Sequence, residues 1–185
     1  MNKVKFGLKN VHIAPMANDG TYENVFALPG GVTLSLDAEG DNSDFYADNK
    51  KFFTSYANNG YSGDLEMAKI IETFLTNVMG QTKDENGGIT ENVNDIDKYF
   101  ALMYEVDGDE TPTRYVFYKC KASRPNTEAE TQNENGKTPK TETLKITASE
   151  DNNGDVKSYL EKNDTNTTAY NSFFETVYGR KTASV

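Results

Sequence analysis

Apolar side chains recur at every second position through most of this chain, and at the three-to-four spacing of a helix in only two places. In VKFGLK, Val4, Phe6 and Leu8 alternate with Lys5, Gly7 and Lys9. A strand with one face buried requires that pattern, because successive side chains point to opposite sides. GVTLSLDAEG sets Val32, Leu34 and Leu36 on one face after a Pro29-Gly30-Gly31 turn. YFALMYEV and TRYVFYKCKA flank DGDETP, whose Asp, Gly and Pro residues suit a hairpin connection. The second of these strands aligns Val116, Tyr118, Cys120 and Ala122, and TETLKITA aligns Leu144, Ile146 and Ala148.

Ile70, Ile71, Phe74, Leu75 and Val78 carry the first helical period, which stops at Gly80, a residue suited to a helix C-terminus. Tyr170, Phe173, Phe174 and Val177 carry the second, before Gly179. Thr167 or Thr168 is placed to cap its start, and Arg180 and Lys181 suit the negative end of its dipole. QTKDENGGITENVND and SRPNTEAETQNENGKTPK contain too little apolar surface to bury and are expected to be exposed loops. The expected fold is mainly β: a sandwich or partial barrel of antiparallel strands with one or two flanking helices. All 185 residues are expected in one domain. Its excursions are an extended N-terminal segment at about 1–20, a long loop at about 37–61 and a C-terminal helix or arm at about 163–185.

A formal net charge of −10 argues against binding nucleic acid by phosphate neutralisation, because that affinity comes from Lys and Arg displacing counterions. Half of this charge lies in residues 37–66, where Asp37, Glu39, Asp41, Asp44, Asp48, Asp64 and Glu66 face only Lys50 and Lys51, a net of −5. Aromatic residues are interleaved with these acids in YADNKKFFTSYANNGYSGDLE. Cys120 is the only cysteine and cannot form an internal disulfide. No apolar run approaches the roughly 20 residues that span a bilayer, and the N-terminus alternates where a signal peptide would be continuously apolar, so a cytoplasmic chain without membrane insertion is expected. On that expectation the sequons at Asn163 and Asn166 are polar loop and nothing more.

Little of the sequence suggests catalysis. His12 is the only histidine and has no nucleophile motif beside it, so it is expected to be structural or solvated. Cys120 alternates with lysines in a strand and suits a small core residue. EDNNGD and KDENGG resemble pieces of a calcium loop without its closing glutamate, and surface turns are expected. No metal site, cofactor site or catalytic residue is assigned. Tyr46, Tyr56 and Tyr61 beside Asp44, Asp48 and Asp64 leave one alternative open, a carbohydrate-binding or glycan-hydrolysing β-sandwich, since glycoside hydrolysis needs two carboxylates and sugars stack on rings. The chain has no tryptophan to serve as a platform.

Taken in order, VKFGLKNVHIAP, LSLDAEGDNSDFYADN, ANNGYSGDLE, EVDGDETPTRYVFYKCKASRP, PKTETLKITA and AYNSFFETVYG resemble the major tail protein of long-tailed, non-contractile phages and prophages of Gram-positive bacteria. Against that family, an appended immunoglobulin-like module is not expected here, and a short basic tail, GRKTASV, is expected after the last helix. The resemblance implies a tail tube subunit, also similar to the tube of type VI secretion systems. Its β-sandwich would join neighbours in six-membered rings, and the rings would stack into a hollow virion tail. It implies assembly in the bacterial cytoplasm, partnership with itself, the tape measure protein and other tail proteins, and passage of viral DNA without specific binding. The seven carboxylates of 37–66 would then line the lumen or the seam between rings. Phe45, Tyr46, Phe52, Phe53, Tyr56 and Tyr61 would pack at subunit contacts.

Overall fold

The computed structural model describes residues 3–108, 110–129, 131 and 139–180. Among these the strands are β1 (Lys5–Pro15), β2 (Phe26–Ala27), β3 (Gly31–Ala38), β4 (Asn42–Ala47), β5 (Lys50–Tyr56), β6 (Tyr61–Met67), β7 (Thr82–Lys83), β8 (Ile89–Thr90), β9 (Phe100–Gly108), β10 (Thr113–Ala122), β11 (Glu142–Ser149) and β12 (Lys157–Glu161). The helices are α1 (Glu72–Asn77) and α2 (Thr167–Asn171). One antiparallel sheet runs β2-β1-β9-β10-β11-β6-β3, and β12 pairs with the first half of β10. The fold is thus mainly β, as the alternation predicts.

This sheet curls until β3 lies beside β1 with no ladder between them, so the barrel stays open along that seam. The approach is close enough that a Cβ on Gly31 would sit 2.9 Å from Val11 Cγ2, which leaves a side chain no room there. Inside the curl, Val11 and Ile13 of β1, Phe100 and Leu102 of β9, Leu144 and Ile146 of β11 and Leu65 and Met67 of β6 form the main core. The α1 helix closes it with Phe74, whose ring meets Phe100 edge to face at 5.8 Å.

A second core lies on the other side of the sheet. Ala14, Ala101, Met103, Val116 and Tyr118 form an apolar bed, and Phe173 of the C-terminal segment fills it. Strand β9 is therefore buried on both faces, with Leu102 on one and Met103 on the other.

Four sequence expectations change. Val116, Tyr118, Cys120 and Ala122 do not share a face: the register of β10 on β9 shifts between Phe117 and Cys120, so Cys120 and Ala122 join Phe117 in the main core while Val116 and Tyr118 stay in the second. A bulge reverses the parity that alternation assumes. The second helical period yields only α2, with Asn166 and not a threonine at its N-cap, and Phe173 and Phe174 follow in turns. Arg180 pairs with Asp155 at 2.9 Å and takes no part in a helix end; Lys181 lies outside the described residues. Val4 and Phe6 are exposed, because β1 reaches the core only from Leu8 onward.

The two polar stretches differ from each other. QTKDENGGITENVND holds the β7–β8 ladder, and SRPNTEAETQNENGKTPK has no regular structure among its described residues, most of its second half lying outside them. No helix among the described residues is long and apolar enough to cross a membrane.

Candidate assembly surfaces

The stretch expected as a long loop at 37–61 is a hairpin between strand ends. β4 and β5 pair only with each other, joined by Asp48 and Asn49 at φ 51° and 58°. Positive φ at both central residues gives the tight turn whose twist suits a hairpin, and Asp and Asn tolerate it better than other side chains. Phe45 stands opposite Phe53, and the register shifts just beyond that pair. The extra residue, Phe52, reaches back to Phe45, and the two rings meet edge to face at 6.5 Å. Three phenylalanines thus share one face. On the other, Asp44 pairs with Lys51 at 2.7 Å and accepts a 2.7 Å hydrogen bond from Thr54 Oγ1. These partners hold the Asp44 carboxyl below the usual carboxylate range, Lys51 having the larger effect.

Phe45, Tyr46, Phe52, Phe53 and Tyr56 are 60–80% exposed. A monomer rarely leaves so many rings in water on one element. Tyr61, grouped with them on sequence, is different: its ring packs edge to face on Phe117 at 5.1 Å against the main core, under the Lys157 ammonium.

The seven carboxylates separate into two groups. On β6, Leu65 and Met67 point into the core, so Asp64 and Glu66 point out; on β3, Leu34 and Leu36 point in and Asp37 points out. Cross-strand register aligns Ser35, Asp64 and Lys145 in one row and Asp37, Ser62 and Thr147 in the next. Glu39 joins them by accepting a hydrogen bond from Ser62 Oγ, and Thr141 Oγ1 donates to Glu66 at 2.6 Å. The result is one hydroxyl-rich acidic sheet face carrying Asp37, Glu39, Asp64 and Glu66, with Lys145 3.9 Å from Asp64. Asp44 and Asp48 leave with the hairpin, and Asp41 lies at its base, where its carbonyl accepts from Ala57 N–H. The hairpin is what divides the two groups.

The remaining chemistry-bearing side chains are held structurally. His12 stacks on Phe174 at 4.5 Å, and its Nδ1 lies 2.8 Å from the carbonyl oxygen of Asn10. Cys120 is fully buried, and desolvation pushes its thiol up to about 12. Asp84 and Asp151 each accept two backbone N–H groups of their own turns, the use to which the calcium-like fragments are put. No cluster of three metal-ligating side chains occurs among the described residues.

Two features were beyond sequence reasoning. The exposure of Val4, Phe6 and Val32 depends on where β1 and β3 enter the core, from Leu8 and from Leu34 onward. Exposed Val93 sits in a stretch whose polarity alone suggested a loop, and exposed Ile96 follows directly after it. No protein-family model matches the chain, and no curated protein matches it.

Proposed function

We propose that this chain is a structural subunit of a phage tail tube, assembling into stacked hexameric rings that form a hollow conduit for DNA. The observation that carries this reading is the hairpin: five rings exposed at 60–80% on an element that pairs with nothing else in its own chain. Apolar surface of this kind calls for a partner, and edge strands such as β3 invite further pairing. The sequence resemblance names the partner as further copies of the chain.

The acidic face supports the same reading. A wall carrying the sign of the phosphates keeps DNA from adsorbing, while its hydroxyls keep it wetted. Asp37, Glu39, Asp64 and Glu66 are the candidates to line it. The virion tail is the proposed location, with the tape measure protein inside the growing tube and other tail proteins at its ends. The test is direct: concentrated protein viewed by negative-stain microscopy and followed by sedimentation should form rings or tubes. A species that stays monomeric across salt and concentration, with none seen, overturns the proposal.

A further inference from the structure

We propose that Asn86 is a site of spontaneous covalent modification, at which the side-chain amide becomes an aspartyl or isoaspartyl carboxylate through attack by the Gly87 backbone nitrogen. The site stands whether or not the chain builds a tube.

Asparagine precedes glycine at residues 59, 86, 135 and 153. Glycine has no Cβ to crowd its own nitrogen, which can then reach the preceding side-chain carbon. Asn135 and Gly136 lie outside the described residues. Two of the other three steps sit in turns with the same hydrogen bonds. Asp84 Oδ1 accepts the N–H groups of Asn86 at 2.9 Å and Gly88 at 2.8 Å, and the Asp84 carbonyl accepts from Gly87 at 3.1 Å. Asp151 Oδ1 accepts from Asn153 at 2.8 Å and Asp155 at 2.9 Å, and its carbonyl accepts from Gly154 at 3.1 Å. Gly87 and Gly154 have φ of 86° and 78°, each with open space where a Cβ would stand.

The asparagine side chains differ. Asn153 Nδ2 donates to Asp151 Oδ2 at 3.1 Å, which holds the amide against a carboxylate. The exposed Asn86 side chain makes no hydrogen bond to the described residues, so it is free to turn its Cγ onto the Gly87 nitrogen. Restraint around the two turns differs as well. Asp155 is tied to Arg180 at 2.9 Å, whereas the β7–β8 hairpin that carries Asn86 is held by two residue pairs, Thr82 with Thr90 and Lys83 with Ile89. The third step is enclosed: Gly60 is buried, its N–H donates to Asn58 Oδ1 at 3.2 Å, and the Ala148 carbonyl occupies the place a Cβ would take.

The reaction consumes only water. The Gly87 nitrogen, its proton lost to solvent base, bonds to Asn86 Cγ, and the side-chain nitrogen leaves as ammonia with a proton taken from water. Holding both groups in one turn makes this step intramolecular. Water then opens the cyclic imide. Cleavage at Cγ gives aspartate; cleavage at the Asn86 carbonyl carbon gives isoaspartate, with one more methylene in the main chain. Either product sets a new carboxylate beside Asp84 and Glu85, where Lys83 already pairs with Glu72.

The test is timed incubation of the full chain at mildly alkaline pH, followed by tryptic mapping with fragmentation to locate each conversion and isoaspartyl methyltransferase labelling to detect isoaspartate. Asn86 should convert at least about fivefold faster than Asn153, whose amide must first give up its hydrogen bond to a charged group. Asn59 should be slower still. In urea, where the turns are lost, the three should convert at similar rates. Asn86→Gln, whose longer side chain closes a ring far more slowly, should remove the first acidic species seen on isoelectric focusing. Conversion of Asn153 or Asn59 ahead of Asn86 in the folded chain overturns the proposal, as does an Asn86 that stays intact when folded while converting in urea.

Discussion

Arg114 Nε lies 2.9 Å from Glu105 Oε2 in an ion pair almost wholly withdrawn from solvent. The same guanidinium donates through Nη1 to the Tyr170 carbonyl and lies over the rings of Tyr170 and Phe174, at 4.0 and 4.8 Å from their centroids. One side chain therefore joins the two central strands to the C-terminal segment. Arg114→Met leaves the buried Glu105 charge with only the neutral Asn10 amide, whose Nδ2 donates to Oε1 at 3.2 Å, and should cost about 3–5 kcal/mol in urea unfolding of the monomer. Glu105→Leu in the same chain should recover much of that loss, since a buried pair replaced by apolar groups is often neutral. Equal stability of the single and double variants would show that the ion pair is not what matters there.

Cys120 supplies a probe of the main core. Burial raises its thiol to about 12, so the thiolate that reacts with disulfide reagents is scarce and shielded at neutral pH. Modification should be negligible in the native protein and complete in urea, with a rate that follows opening of the core. Rapid modification of the folded chain would place the thiol at the surface and refute its burial in the main core.

Much of this core was legible in the sequence because burial on one face leaves a period. Leu144, Ile146 and Ala148 keep a strict alternation and all three are buried. The run TRYVFYKCKA misled for a physical reason: both faces of β10 are covered, and an added residue between Phe117 and Cys120 changes which cover each side chain meets. The hairpin left no burial period because neither of its faces enters the core of its own chain. Its legible signal was local, Asp48-Asn49 between runs carrying Phe45, Tyr46, Phe52, Phe53 and Tyr56. Of the acidic surface, the parity of Asp64 with Glu66 was readable, but their union with Asp37 needed the β3–β6 register.

Acid should loosen the hairpin. Lys51, and after it Thr54, favour the charged form of Asp44, so its pKa in the folded hairpin lies below the unfolded value. The stability it contributes is complete above the ordinary carboxylate pKa and is lost as pH falls through the lowered one. Amide and Thr54 signals followed by NMR from neutral pH downward should lose hairpin character at the acid end. Asp44→Asn should flatten that response; an unchanged acid transition in the variant would assign it to another carboxylate.

Charge on the acidic face should serve passage of DNA more than folding. Asp37 and Asp64 are exposed on the side away from the core, and exposed charges act over roughly 8 Å at physiological salt. Asp37→Lys with Asp64→Lys should therefore change the melting temperature little and let tubes form. DNA ejection through those tubes should be slow or arrested, and more so at low salt, where the new cations are least screened. Ejection at the normal rate through tubes verified to carry both lysines removes the lining role from this face.

If the chain assembles as proposed, the hairpin's own order should be the property most tightly bound to assembly. A lone two-stranded hairpin is marginal in water, and fixing its backbone costs about 1–2 kcal/mol per residue. Within the chain it is steadied at the base by Glu39 N–H to the Gly60 carbonyl and Ala57 N–H to the Asp41 carbonyl, and within itself by the Asp44–Lys51 pair, the Asp44–Thr54 hydrogen bond and the Phe45–Phe52 contact. None of these buries the rings, which remain free to lose area only against another molecule. Amides of residues 42–56 should exchange quickly in the isolated subunit, while those of β9 and β10 exchange slowly, and the hairpin should slow by orders of magnitude on assembly. Phe52→Ala should leave the monomer's melting temperature nearly unchanged and weaken assembly, whereas Phe74→Ala, in the core, should cost the monomer about 3–5 kcal/mol. Protection of residues 42–56 in the isolated subunit equal to that in the assembled form would mean the hairpin is stable by itself, and its exposed rings would need a reason other than assembly.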